Sequence, residues 1–156
     1  MTVKAKLPMT KKRKLTIIAI VAIVAASLLS FALIYVYSFS IQIEKYHVPT
    51  EYRAGSSFGL LIEVQYSKMN NPYSPNKITL SFSGIPASWA SFYLFQGNIT
   101  KSGQTITIVP TNPFIILSIQ LPFDVQAGSY KVIVTGTNSL GLTASDTFTF
   151  TITPSS

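Results

Sequence analysis

The sequence contains no cysteine. Disulfides, thiol nucleophiles, cysteine-ligated zinc and iron–sulfur clusters are thereby excluded. Histidine is nearly absent too: His47 stands alone, beside five scattered acids, Glu44, Glu51, Glu63, Asp124 and Asp146. Catalysis and metal binding both need several such groups to converge. A base-and-acid pair drawn from His47 and Glu51 has no GxSxG-type nucleophile to serve. Glu44, His47 and Glu51 share one short segment, but Pro49 interrupts it. No catalytic residue, cofactor site or metal-ligand set is therefore expected, and His47 reads as an exposed side chain.

Charge is scarce as well, at 11% of residues, although the formal net charge is +7. The excess is local. Lys4, Lys6, Lys11, Lys12, Arg13 and Lys14 supply half of the 12 basic residues, and no acid lies among them. The other six bases face all five acids, so the rest of the chain is close to neutral. It lacks the cation cluster that neutralises phosphates, and nucleic acid is not an expected partner. From Ser38 onward only 11 of 119 residues are charged, with Ser, Thr, Asn and Gln supplying the polar surface. Such a surface changes charge little on acidification, which suits an acidic exterior or close packing against neighbours; together with the resemblance described below, it predicts an acid-dwelling archaeal host.

One long apolar run is present. Leu15–Tyr37, LTIIAIVAIVAASLLSFALIYVY, has no charged residue. At about 1.5 Å per residue it spans roughly 34 Å as a helix, enough to cross a hydrocarbon core of about 30 Å. The cluster Lys11-Lys12-Arg13-Lys14 abuts its start and predicts a cytoplasmic N-terminus; Tyr35 and Tyr37 suit the opposite interface. A cleaved signal peptide is the competing reading, since Ser30 and Ala32 are small enough for a peptidase. The run exceeds a typical h-region and continues past Ala32, which favours an uncleaved signal-anchor. A pilin-type leader lacks its usual small residue before the run and its glutamate after it. Ala22, Ala26 and Ser30 recur every four residues, so one helix face is small enough for another helix to approach. Alanine is also simply common in such segments.

Beyond Ser38 no long segment has a helical period. Period-2 alternation appears instead in Phe58–Tyr66, Ile78–Phe82, Tyr130–Thr137 and Phe148–Ile152. Ser91–Phe95, Thr105–Val109 and Ile115–Leu121 are shorter strand candidates. Some seven strands in about 110 residues predict two antiparallel sheets packed face to face. Asp146 shares parity with Phe148 and Phe150, so a regular strand points it inward; a place at the rim, or a bulge, accounts for a charge there.

Two stretches carry a resemblance: ITLSFSGIPASW at Ile78–Trp89, and AGSYKVIVTGTNSLGLTASDTFTFTI at Ala127–Ile152. They resemble the immunoglobulin-like domains of bacterial and archaeal surface and secreted proteins, with their "SG-P" strand end, "GxYxVxVTGT" strand, glycine turn and threonine-rich last strand. The resemblance covers about residues 45–153 and implies an immunoglobulin-like antiparallel β-sandwich. Within that frame Tyr130 is placed to close a tyrosine corner, and Asn138-Ser139-Leu140-Gly141 is a turn. Trp89, the only tryptophan, is expected to pack against the domain.

The expected organisation is a basic cytoplasmic tail (1–14), a transmembrane signal-anchor helix (15–37) and an extracellular β-sandwich (38–156). Asn98-Ile99-Thr100 is an N-glycosylation acceptor triplet. The connection 67–76, with Asn71 and Tyr73, is a candidate binding loop. The function these features predict is a non-catalytic plasma-membrane envelope protein. Its outer module contacts surface-layer proteins, other membrane proteins or glycans. The alternative is an accessory subunit of a respiratory or sulfur-oxidising membrane complex.

Overall fold

The computed structural model describes residues 11–36, 38–45, 48–66, 77–96, 99–109 and 114–154. The chain divides into two units, Met1–Tyr35 and Val36–Ser156.

The first unit holds one helix, α1 (Lys11–Val36). Its stretch Lys11–Ala32 is long and apolar enough to cross a membrane, with a mean hydropathy of 2.6, and none of it is buried within the protein. Leu15, Ile18, Leu28 and Phe31 stand exposed on different sides, so no apolar stripe faces a core. Three aliphatic hydroxyls of the helix turn inward on its own backbone. Thr16, Ser27 and Ser30 each donate to the carbonyl four residues earlier, at 3.1, 2.9 and 2.9 Å. They are satisfied locally and require no neighbouring helix.

The second unit is all-β. Its strands are β1 (Phe39–Ile43), β2 (Glu51–Arg53), β3 (Ser57–Tyr66), β4 (Ile78–Ser83), β5 (Ala90–Gln96), β6 (Ile99–Gly103), β7 (Thr105–Ile108), β8 (Phe114–Gln120), β9 (Gly128–Asn138) and β10 (Thr143–Thr153). One sheet runs β1-β3-β8-β5-β6 and the other β2-β10-β9-β4-β7. Alternation builds the core between them. From the first sheet come Leu60, Ile62, Phe92, Ile115 and Leu117; from the second, Ile78, Leu80, Val132, Val134 and Phe150. Aromatic rings cross the gap: Phe82 meets Phe92 at 5.7 Å, and Phe58 meets Phe150 at 5.2 Å. Edge-to-face contacts of this kind hold the two layers in one alignment.

All seven expected strands are present; six have ends within two residues of those expected, and β10 begins at Thr143, five residues before the expected Phe148. Three more appear among the described residues: β1, β2 and β6. Each is short, and β1 follows so closely on the apolar run that its own alternation is masked.

The expectation of purely antiparallel sheets fails at one place. β2 lies parallel to β10, with Thr151 opposite Glu51 and Thr153 opposite Arg53. The cause is a strand that changes sheets. β1 pairs with β3, and the chain then moves to the other layer and pairs as β2 with β10. A short turn at Ala54-Gly55 returns it to β3.

Register also fixes which loops share an end. Phe39 pairs with Tyr66, so β3 ends where the chain enters β1. Ile78 pairs with Asn138, placing the β9–β10 turn at that same end. There Asn138 Oδ1 accepts the amides of Leu140 and Leu142, both at 2.9 Å, while Gly141 takes φ +78°. At the other end Tyr130 Oη donates to the Gln126 carbonyl at 2.9 Å. The tyrosine corner is thus formed. Trp89 lies against the same ring at 5.5 Å and packs on the core, as expected.

Candidate functional site

A polar concavity lies at the rim, where the two sheets come together beside β1. It is an open cleft of about 340 Å³ lined by Gln42, Ile43, Glu44, Lys45, Glu63 and Asp146. Its organising group is Asp146. The Asp146 carboxylate accepts the Ile43 amide at 2.9 Å, the Thr147 amide at 2.7 Å and the Lys45 ammonium at 3.0 Å. Strand alternation explains why those amides are there. The Glu44 backbone amide donates to the Leu61 carbonyl across the β1–β3 ladder, so the neighbouring Ile43 amide faces away from that sheet. β2 covers the outer edge of β10 only from Thr151 to Thr153. One carboxylate therefore holds the outward backbone of β1 in one sheet to that of β10 in the other. The β9–β10 register runs unbroken through Asp146, so its position is the rim and not a bulge.

Burial tends to raise the Asp146 pKa. The amides of Ile43 and Thr147, with Lys45, outweigh that and hold it below the ordinary value of 3.8. The amides matter more for stability than the ion pair, because the Lys45 side chain is 51% exposed and solvent screens it. A carboxyl with a depressed folded pKa adds stability above its unfolded pKa and loses it as pH falls through the folded value. Thermal melting of the wild type is therefore expected to weaken as pH drops below about 4. Asp146→Asn should lower stability by about 1–2 kcal/mol at neutral pH and flatten that acid limb. Identical pH profiles for the two proteins would refute this role.

Among the described residues no group of three His, Cys, Asp or Glu side chains could hold a metal ion. Glu51 is exposed on β2, away from the cleft residues. His47, Asn71, Tyr73 and Asn98 lie outside the described residues, as does Tyr37. Ala22, Ala26 and Ser30 share an exposed face of α1, with the Ser30 hydroxyl bonded to the Ala26 carbonyl. Two phenols stand out in the sandwich: the hydroxyls of Tyr52 and Tyr66 are buried without a hydrogen-bond partner among the described residues. Burial pushes the Tyr66 pKa up to about 12.

The outer faces of the two sheets differ. On the β3-β8-β5 face, Tyr93, Phe95 and Phe114 are exposed, with Leu61 and Ile116 half-buried between them. Phe95 and Phe114 pair across strands, their rings 6.0 Å apart. The β10-β9-β4-β7 face carries mainly threonine and serine. Sequence reading missed Lys45, both outer faces and the role of the Ile43 amide. Only the parity of Asp146 signalled any of this.

No family model matches the chain, and no curated protein matches it in sequence. Solved structures do resemble the β unit. A conjugative transposon lipoprotein from Bacteroides eggerthii is 15% identical, with a TM-score of 0.48 over 73% of this chain and 97% of that one. A lipoprotein from Bacteroides thetaiotaomicron is 17% identical, with a TM-score of 0.49 over 73% and 79%. A family 123 glycoside hydrolase from Clostridium perfringens is 12% identical, with a TM-score of 0.52 over 76% of this chain but only 27% of the hydrolase. At that identity and coverage the likeness to the hydrolase is one of fold alone.

Proposed function

We propose that this chain is a non-catalytic, single-pass membrane protein of the cell envelope whose immunoglobulin-like outer domain is an interaction module. The observation that carries it is α1: a helix apolar on all sides, uncharged from Leu15 onward and led by Lys11, Lys12, Arg13 and Lys14. In water such a helix exposes Leu, Ile, Val and Phe side chains all round, whereas a bilayer accepts them and satisfies the positive-inside bias. The strand order supports the immunoglobulin-like assignment. With β1, β3, β4, β5, β8, β9 and β10 taken as strands A to G, the sheets read A-B-E-D and C-F-G, the constant-type arrangement. β6 and β7 are then an insertion between D and E, and β2 an extension of A. The Tyr130 corner at the start of strand F fits the same scheme.

A second reading keeps the anchor and makes the chain an accessory subunit of a larger membrane complex. The exposed Ala22, Ala26, Ser30 face favours it, by offering close helix approach. The internally bonded hydroxyls weaken it, because they leave side-chain hydrogen bonding across helices nothing to gain.

The test is sodium carbonate washing of native membranes, followed by protease treatment of intact cells. The full chain should remain in the pellet, with its β unit cut from outside and its basic tail protected. Release into the wash would sink the anchor, and protection of the β unit would reverse the orientation. Native-gel migration in stoichiometric company with redox or transporter subunits would favour the second reading.

A further inference from the structure

The outer face of the β10-β9-β4-β7 sheet is ordered in two dimensions. Register places Thr143 opposite Thr137, Thr137 opposite Thr79, and Thr79 opposite Thr107. The next outward row is Ser145, Thr135, Ser81 and Thr105. Eight hydroxyl side chains thus form two in-register rows across four strands, six of them exposed and Thr135 and Ser81 half-buried. Thr79 and Thr107 share a hydrogen bond at 3.2 Å, and the Ser81 hydroxyl reaches the Thr135 carbonyl at 3.5 Å. The hydroxyls of Thr143, Thr137, Ser145, Thr135 and Thr105 have no protein partner among the described residues. No charge lies within the rows; Lys77 borders them on one side and Lys131 stands beyond them on the other.

We propose that these rows form a binding face for an extended, uncharged β-1,4-linked glycan lying across the strands. Three properties of the face select that ligand. An ionic group laid over the rows would lose water without gaining a counter-charge, which favours a neutral partner. Hydroxyls both donate and accept, so they complement a polymer that itself carries hydroxyls on every unit. Neighbouring strands stand about 4.8 Å apart, close to the advance of one pyranose along a β-1,4 chain, so successive sugars meet successive strands. Sheet twist turns the outermost strands away from a straight ligand. Thr137 and Thr79, on the central pair β9 and β4, therefore carry the contact. The envelope reading places this face where cell-surface glycans occur, but the binding itself depends only on the sheet.

The experiment uses the full chain in phosphatidylcholine nanodiscs, titrated calorimetrically with cellohexaose and chitohexaose at low and high salt. At least one should bind with little salt dependence. Thr79→Val with Thr137→Val keeps shape and strand preference while removing two hydroxyls, and should weaken binding about tenfold. An unchanged circular-dichroism melt establishes that this variant is folded. Absence of binding by either oligosaccharide overturns the proposal, as does undiminished binding by the double variant. Loss that follows Tyr93→Ser with Phe95→Ser instead would move the site to the other sheet. Binding of hyaluronan alone in a parallel titration, lost with salt, would replace a neutral ligand by one read through Lys77 and Lys131. None of these failures touches the membrane anchor, which carbonate washing tests separately.

Discussion

Gly84→Ala is expected to cost about 3 kcal/mol or more, a large part of the stability of a domain this size. Gly84 sits at the end of β4 with φ +89°, in the left-handed region that a side chain strains by roughly 1–2 kcal/mol. The steric cost adds to this. A Cβ at Gly84 would meet the backbone carbonyl oxygen of Lys131 on β9, an atom locked in the sheet and unable to move aside. Gly141 has a similar φ of +78°, yet nothing lies within 4 Å of its Cβ position. Gly141→Ala should therefore show the conformational part alone, roughly 1 kcal/mol. Urea unfolding of both variants, followed by the fluorescence of Trp89, measures the difference directly. Equal losses would show that the Lys131 carbonyl can yield.

Phe92→Ala should be comparably damaging, by about 3–5 kcal/mol. Its ring is fully buried and meets Phe82 of the opposite sheet at 5.7 Å, so truncation opens a cavity on the seam between the layers. Neither sheet can close that cavity without breaking its own ladder. Phe123 is the natural control. It is 85% exposed on the β8–β9 connection, and Phe123→Ala should stay within about 0.5 kcal/mol. A mild effect at Phe92 would mean that the sheets slide together to fill the space. The core would then be softer than its edge-to-face rings imply.

Both residues were partly legible in advance. The "SG-P" pattern contains Gly84, and the structure supplies its reason: only glycine allows β9 to pass so close while the chain turns left-handed. Phe92 fell in an expected strand, but Ser91–Phe95 is too short to say which parity faces inward. Tyr93 and Phe95 are aromatic as well, and they lie exposed on the outside. Composition could not separate them, because the choice depends on which face of β5 meets Phe82.

Other elements resisted sequence reading for reasons of context. β1 has three apolar residues in alternation, yet it follows so closely on the apolar run that its own period is lost. β2 is three residues long, and its parallel partner is a strand 100 positions away. Asp146 carried a signal in its parity, and the rim was the position expected. Its partners could not be read from that parity, since the Ile43 amide it holds lies 103 positions earlier.

What the sequence determined by itself are the properties of contiguous residues. An uncharged apolar run sets a helix long enough to cross a membrane, and period-2 alternation sets strands with one buried face. A glycine and an asparagine in register with their turns set where the chain reverses. The absence of cysteine and the scarcity of histidine bound the chemistry. The tertiary structure decided everything that depends on register between distant strands. It joined β1 to β10 through one carboxylate, and it aligned eight hydroxyls from four strands into two rows. It also sent Phe92 inward and Phe95 outward. Register follows from how two complete sheets fill a common core, and no local window of sequence contains that information.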